Sequence, residues 1–282
     1  MTAVVPWELI SVVAAVSGGT FYWFKTWFCS FFLFAESDPE LRKLYAKTRR
    51  CMLFSAHYAC TFAWFAWLWV TRLPWTTDAV ECTLPPTDHV MESSVALLFA
   101  VQLGFYAAGL YELLVQDAKT RAKDWPIMLG HHLVTLALIV SCTRFGAYWI
   151  GFYVLGLHDA GDIFLYASDA MHQWTTIARS KKGVASERGI QLVDNIKTGT
   201  FAVFMVVFAY TRLYRFAWYF VLGSCGRVVL DTWTTSFSMG PMWLGMLALS
   251  AMHVYWFYLT CAMLKRLLVQ GGDAQDVRNK DE

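Results

Sequence analysis

The run M128-L-G-H-H-L-V-T-L-A-L-I-V140 has the composition of a membrane-spanning helix, but it carries two adjacent histidines, His131 and His132. Placing a charged side chain at the centre of a membrane costs roughly 2.5–3.5 kcal/mol, so ionisable residues are rare there and usually functional. A single histidine can serve packing alone. Two in tandem predict polar partners on neighbouring helices.

The composition of the chain indicates a membrane protein. Its 282 residues are 57% hydrophobic and only 16% charged, whereas an average soluble domain has about 25% charged residues. Several apolar runs reach the roughly 20 residues that a bilayer-spanning helix needs. We therefore predict an all-α polytopic membrane protein. The net charge of +2 does not favour nucleic-acid binding, and seven scattered cysteines favour neither a disulfide framework nor a zinc site.

Hydropathy predicts seven transmembrane helices joined by short connections, so that neighbours run antiparallel. The first is interpreted as a retained helix, because the N-terminus lacks a basic start and a small-residue cleavage site. The polar end of the chain, 269–282, is predicted to be a disordered cytosolic tail. The seven predicted spans are residues 8–34, 51–73, 91–116, 125–143, 146–168, 199–223 and 239–268.

Lysine and arginine are unequally distributed between the two sides of the predicted membrane. Successive segments on one side carry 5, 3, 5 and 4 of these residues, and those on the other side carry 0, 1, 1 and 1. Positive residues concentrate in short cytosolic loops. The count therefore predicts a lumenal N-terminus and a cytosolic C-terminus.

The fifth predicted span carries a second polar group in the run L157-H-D-A-G-D162. Helical spacing places Asp159 and Asp162 on one side, with His158 one turn from Asp162. His131 and His158 are equally far along the chain from the tight turn between the two spans. At a rise of ~1.5 Å per residue both lie ~20 Å from that turn. The five polar residues can therefore converge in one layer, nearer to the cytosolic face.

Three kinds of chemistry can use such a cluster. Di-iron lipid desaturases and hydroxylases use histidine boxes of the forms H-x-x-x-H and H-x-x-H-H, and this chain has neither. A carboxylate–histidine pair can relay protons in a transporter. An imidazole oriented by an aspartate can act as nucleophile or general base in acyl transfer. The spacing of the residues does not separate the last two.

The segment K123-D-W-x-x-M-x-x-H-H-x-x-T135, followed by R144-x-G146 and L157-H-D-x-x-D162, closely resembles the Lag motif of ceramide synthases in the TLC-domain family. The similarity covers roughly residues 45–268. The order and separation of HH and HDxxD on hydrophobic helices make it specific. Shorter matches, each weak alone, are Arg50, Pro74-Trp75, Glu81-Cys82, Thr211-Arg212-Leu213 and the run from His253 to Leu259.

The resemblance implies an enzyme of the endoplasmic-reticulum membrane that transfers a fatty acyl group from acyl-CoA to the amine of a long-chain sphingoid base. Acyl-CoA is then a substrate, and no metal or cofactor is expected. The resemblance also implies a six-helix TLC domain at residues 45–268, after an N-terminal helix and basic loop at 1–44. A homodimer or a regulatory subunit is compatible with it.

The same resemblance makes the polar cluster catalytic. We expect His131 to be the nucleophile or general base, although His132 can exchange roles with it, because consecutive helical residues point about 100° apart. The other members would orient the imidazole, deprotonate the amine and stabilise imidazolium. The catalytic candidates are His131, His132, His158, Asp159 and Asp162, and the substrate-binding candidates are Asp124, Arg144 and Arg212.

Other polar residues on the apolar helices receive structural interpretations. His57 and His253, each alone on an aromatic helix, are expected to pack or to hydrogen-bond. Lys25 and Glu112 are expected to lie close to the membrane interface or to extend their side chains towards it. The phosphates of CoA are expected near basic loops at residues 119–123 or 181–182.

Differences from the family pattern leave other functions open. Where the motif usually continues L-L-E-x-x-K, this chain has F164-L-Y-A-S-D169, which is compatible with a TLC protein of altered lipid chemistry. A non-enzymatic TLC protein that binds or moves lipids is one alternative, although the intact HH and HDxxD argue against it. A seven-helix receptor or retinal protein is another, but Lys265 lies at the end of the last span, whereas retinal requires a mid-helix lysine.

Overall fold

The computed structural model describes residues 6–30, 36–73, 91–115, 123–181, 184–232 and 239–270. All regular secondary structure within these ranges is helical, which confirms the predicted all-α class. Helix α6, a π-helical segment and α7 continue into one another, so the described residues form seven long helical segments. The elements are α1 (Trp7–Ser30), α2 (Pro39–Thr71), α3 (Ser93–Val115), α4 (Trp125–Arg144), α5 (Tyr148–Ser180), α6 (Glu187–Phe208), the π-helical segment (Ala209–Cys225), α7 (Gly226–Thr232) and α8 (Met239–Gln270).

Five of these segments are long and apolar enough to cross a membrane: α2, α3, α4, the run Glu187–Val229, and Gly240–Lys265 within α8. Helices α1 and α5 are long enough but do not reach the same apolar character. In α5 the reason is the polar run from His158 to Asp162. This helix can carry it because other helices surround it, and more than half of its 33 residues are buried. The chain is a multi-pass membrane protein.

Two helices begin well before their predicted apolar spans, because capping residues rather than hydropathy determine where they start. Asp38 accepts a hydrogen bond from the backbone N–H of Glu40 (2.9 Å), and Pro39 occupies the first helical position. Ser186 caps α6 in the same way. The predicted basic loop is therefore wrong over residues 39–50, which belong to α2, and the proposed domain boundary at 44/45 falls inside that helix. Helix α5 likewise continues past the predicted end at 168 to Ser180.

Helices α4 and α5 form the hairpin that the sequence predicts. Only three residues separate Arg144 from Tyr148, and Gly146 among them has φ = 71°. This left-handed conformation is readily available only to glycine. The tight turn brings the two polar runs into neighbouring antiparallel helices.

Helix α5 packs along α2 through large aromatic side chains and one close approach. A Cβ added to Gly156 would lie 2.4 Å from Cη2 of Trp69, so the indole needs glycine at this position. Phe65 and Phe152 pack beside it with ring centroids 5.0 Å apart. This aromatic layer separates the polar cluster from the end of the bundle at which α4 and α5 are joined.

Helix α1 packs closely against α3 at a crossing of glycines. A Cβ at Gly104 would lie 2.4 Å from the carbonyl oxygen of Ala14, and one at Gly18 would lie 2.6 Å from the carbonyl oxygen of Gly104. An ion pair between Lys25 and Glu112 joins the same two helices. Lys25 is buried there against α3, so its side chain does not extend out of the bundle as one of the two interpretations expected. Pairing with a carboxylate offsets the cost of an ammonium group inside the bundle.

We expect Gly104→Ala to lower the thermal unfolding midpoint of the purified protein in detergent. The added methyl group meets backbone atoms of α1, and such overpacking typically costs about 1–3 kcal/mol. Gly19→Ala is the matched control, since a Cβ at Gly19 meets nothing within 4 Å. Equal midpoints for the two variants would contradict the close crossing of α1 and α3.

Candidate active site

Histidines from three helices meet in the interior of the bundle. The ring of His253 on α8 lies between His131 and His158, with centroid distances of 6.4 Å and 4.7 Å. The structure thus brings the polar residues of α4 and α5 together, as the hairpin geometry predicts. The residue that joins them, His253, is fully buried, and the sequence indicated only that it packs or hydrogen-bonds.

The hydrogen bonds of His158 assign the tautomers of two rings. Nδ1 of His158 lies 2.6 Å from the carbonyl oxygen of Val154, which can only accept, so Nδ1 carries the proton. In the neutral ring Nε2 is then an acceptor. It lies 3.2 Å from Nε2 of His253, which therefore donates to it. His158 is held at both ring nitrogens.

Asp159 faces α2 and α3 rather than the histidines. Its Oδ2 accepts hydrogen bonds from Thr61 Oγ1 (2.7 Å) and from Gln102 Nε2 (2.6 Å). The Oε1 atom of Gln102 in turn lies 3.4 Å from Nε2 of His57. Sequence analysis missed Thr61 and Gln102, because single threonines and glutamines on apolar helices carry no recognisable motif.

Asp162 forms an ion pair with Arg212, with Nη2 and Oδ1 2.6 Å apart. The same Nη2 donates to the carbonyl oxygen of His158 at 3.0 Å. Arg212 is buried and comes from the π-helical segment. The guanidinium therefore links the π-helical segment to two consecutive turns of α5.

The two adjacent histidines of α4 have different surroundings. Nδ1 of His132 lies 3.0 Å from the carbonyl oxygen of Met128, and its Nε2 lies against Gly109 of α3, where a Cβ would be 2.8 Å away. The ring of His131 packs against Trp256 (5.2 Å) in the histidine cluster. His131 thus faces the cluster, whereas His132 is turned towards α3.

Asp124 and Arg144 lie at opposite ends of α4. Asp124 is buried just before the first turn, about 10 Å along the helix from His131. Arg144 is exposed in the last turn, about 20 Å from His131 in the other direction. The structure does not bring Arg144 into the cluster, so a role for it in binding substrate stays a prediction.

Several buried polar atoms of the cluster have no hydrogen-bond partner within the described part of the chain. Buried polar groups are normally hydrogen-bonded, so such atoms are candidates for binding a polar substrate group. Phe208 and Phe216 flank the cluster, with ring centroids 6.0 Å and 5.6 Å from His253. The atoms without a partner are His131 Nδ1, Asp159 Oδ1, Arg212 Nε, His253 Nδ1 and Trp256 Nε1.

An apolar cavity of about 30 Å³ adjoins the cluster between α4, α5 and α8. Thr135 and Val154, which line it, lie one helical turn beyond His131 and His158 towards the α4–α5 turn. The volume suffices for little more than a water molecule. A long acyl chain would fit into this cavity only if α4, α5 and α8 moved apart.

Fold and site together define a multi-pass membrane protein whose helices enclose a histidine–aspartate–arginine cluster. The model of the TLC domain family matches residues 48–262, which is most of the chain. The chain therefore belongs to the TLC-domain family. The match includes all the cluster residues and leaves α1 outside.

Curated relatives of this chain include ASC1-like proteins and ceramide synthases. The ASC1-like protein 3 of Oryza sativa subsp. japonica is 28% identical over 234 residues, covering 80% of this chain and 74% of that protein. The ceramide synthase LOH2 of Arabidopsis thaliana is 28% identical over 255 residues, covering 87% and 78%. Ceramide synthase 5 of Homo sapiens is 25% identical over 229 residues, covering 80% and 52%. The similarity to proteins named ceramide synthase thus extends over most of the chain.

Proposed function

We propose that this protein is a ceramide synthase-like N-acyltransferase. It transfers a fatty acyl group from acyl-CoA to the amine of a sphingoid base and forms ceramide or dihydroceramide. One observation carries this proposal: His131 forms a continuous cluster with the buried His253 and His158 inside a TLC-domain bundle. The names of the relatives support the same reaction.

In the proposed mechanism a ring nitrogen of His131 attacks the thioester carbon of acyl-CoA. The carbon–sulfur bond breaks, CoA leaves with the proton that the imidazole loses, and the acyl group is held on the ring. The sphingoid amine then attacks the acyl carbon, the carbon–imidazole bond breaks, and the amide is formed. The transferred group comes from acyl-CoA as substrate, with no metal or cofactor in the reaction.

The remaining cluster residues hold the reacting groups in place. Asp162 and Arg212 fix α5 against the π-helical segment, and the Arg212 contact to the carbonyl of His158 positions that histidine. Asp159 is tied to α2 and α3 through Thr61 and Gln102. His132 is proposed to help hold α4 in place, and Asp124 is proposed to contact the entering substrate.

The CoA phosphates would bind at the cytosolic mouth of the bundle. Of the basic residues proposed for this purpose, 119–122 and 182 lie outside the described residues. Lys181 forms an ion pair with Glu36 (2.8 Å), and this hydrogen bond lowers the pKa of the Glu36 carboxyl group. A phosphate would have to compete with that carboxylate, so Lys181 is a weaker candidate than the sequence indicated.

We further propose seven membrane spans in the endoplasmic reticulum, with α1 and α5 crossing together with the five more apolar segments. The N-terminus would be lumenal and the C-terminus cytosolic, as the distribution of lysine and arginine favours. The Lys25–Glu112 pair supports an embedded α1, because it neutralises a charge that α1 would otherwise carry into the membrane. A homodimer or a regulatory subunit is compatible with this arrangement.

The proposed orientation predicts which engineered glycosylation sites are used. Acceptor sequons inserted at residues 76–87 should be glycosylated in microsomes, whereas sequons at 184–186 should remain unmodified. The measurement is an endoglycosidase-sensitive shift on a gel. Modification of the second position but not of the first would reverse the orientation.

The function itself is tested by incubating purified protein with sphinganine and a panel of acyl-CoAs of different chain length. N-acylated product, detected by mass spectrometry, is expected for at least one acyl length. Specific binding of both lipids without any amide product, across the whole panel, would favour the non-enzymatic lipid-binding protein instead.

A further inference from the structure

The hydrogen bonds of His253 leave one of its ring nitrogens, Nδ1, as a bare acceptor within the histidine cluster. His253 must donate from Nε2, because Nε2 of His158 has no proton to give. A buried imidazole without a paired anion remains neutral, since an uncompensated charge is costly in the interior. Nδ1 of His253 therefore carries a lone pair. This atom is buried and has no donor among the described residues.

The surroundings of His253 place its ring beside the proposed reaction centre. Its ring lies next to His131 of α4, and Trp256 lies one turn away on α8 with ring centroids 6.2 Å apart. Phe208 and Phe216 of the run Glu187–Val229 close the other side. The acyl group carried by His131 and the incoming amine would therefore meet beside His253.

His158 and the backbone orient His253, as an aspartate orients the histidine of a catalytic triad. The carbonyl of Val154 fixes the tautomer of His158, and His158 in turn accepts the Nε2 proton of His253. This arrangement presents Nδ1 of His253 as the basic atom.

We propose that His253 is a further catalytic residue, the general base that deprotonates the attacking amine of the sphingoid base. This inference rests on the proposed N-acyltransfer. As the amine nitrogen bonds to the acyl carbon, its surplus proton moves to Nδ1 of His253. The bond from the acyl carbon to His131 then breaks, and the proton passes to the departing ring nitrogen, so His253 is neutral again at the end.

Two variants of His253 test this role in the purified full-length protein. His253→Phe keeps a planar ring but removes both nitrogens, and His253→Gln keeps an N–H donor towards His158 but has no basic atom. For both we expect amide formation at saturating substrates to fall on the order of 10²-fold or more. The kcat/KM for acyl-CoA, and CoA release in the absence of amine, should stay within about threefold of wild type, because both report the first step, which uses His131.

The control is Val254→Ala. The side chain of Val254 is exposed on the outer face of α8, so this substitution should leave both steps unchanged. Full amide formation by His253→Gln would overturn the base assignment and leave only a hydrogen-bonding role. A parallel loss of amide formation, acyl-CoA binding and thermal stability in both variants would overturn it as well. Wild-type protein that forms no amide with any acyl-CoA would refute the proposed function itself, an outcome that does not depend on His253.

Discussion

His131→Ala should abolish acyl transfer while leaving the protein folded, with a loss on the order of 10³-fold or more. The physical reason is that removal of the nucleophile leaves no group that can attack the thioester in an otherwise intact cavity. In the wild type, acyl-CoA without sphingoid base should release CoA in a burst of one equivalent and add one acyl mass to the α4 peptide. The variant should show neither the burst nor the adduct.

His132→Ala is the matched control on the same turn of α4. The ring of His132 is bonded back to Met128 and lies against Gly109, so its loss should cost far less activity than the loss of His131. A larger loss of activity in His132→Ala than in His131→Ala would show that His132, not His131, is the nucleophile. If the wild type releases CoA only after the amine is added, the transfer is direct, and His131 acts as a general base without an acylated intermediate.

Arg212→Met should destabilise the protein strongly, because it leaves the carboxylate of Asp162 buried without its partner. Breaking a buried ion pair by removing one side typically costs about 3–5 kcal/mol. The measurement is the thermal unfolding midpoint in detergent. Arg179→Met is the control, since it breaks the partly exposed Arg179–Asp194 pair, and such surface pairs contribute only about 0–1 kcal/mol.

The double variant Arg212→Met with Asp162→Asn separates the stability of the pair from its function. Removing both charges should raise the unfolding midpoint from that of the single variant most of the way back to that of the wild type, because no unpaired charge remains buried. Acylation should nevertheless stay slow, since His158 loses the Arg212 contact to its carbonyl group. Full activity of the double variant would show that the ion pair is only structural.

Much of the candidate site was predictable from the chain alone. Tandem histidines and a nearby HDxxD run on apolar helices stand out because polar groups are rare in such segments. Arg212 stood out for the same reason, and the structure shows the counter-charge that it requires. The position of Arg144 outside this cluster was not predictable, because a match to a motif does not report depth in the bundle. It lies exposed at the end of α4.

What the sequence by itself determined is the helical membrane architecture, the α4–α5 hairpin and the depth at which its polar residues meet. These follow from local rules: apolar length, glycine at a turn and a constant rise per residue. The tertiary structure alone decided that His253 joins His131 to His158, that Gln102 and Thr61 hold Asp159, and that Lys25 pairs with Glu112. Each of these contacts joins residues on different helices, and their rotation about the helix axes is set by packing across the whole bundle rather than by nearby sequence.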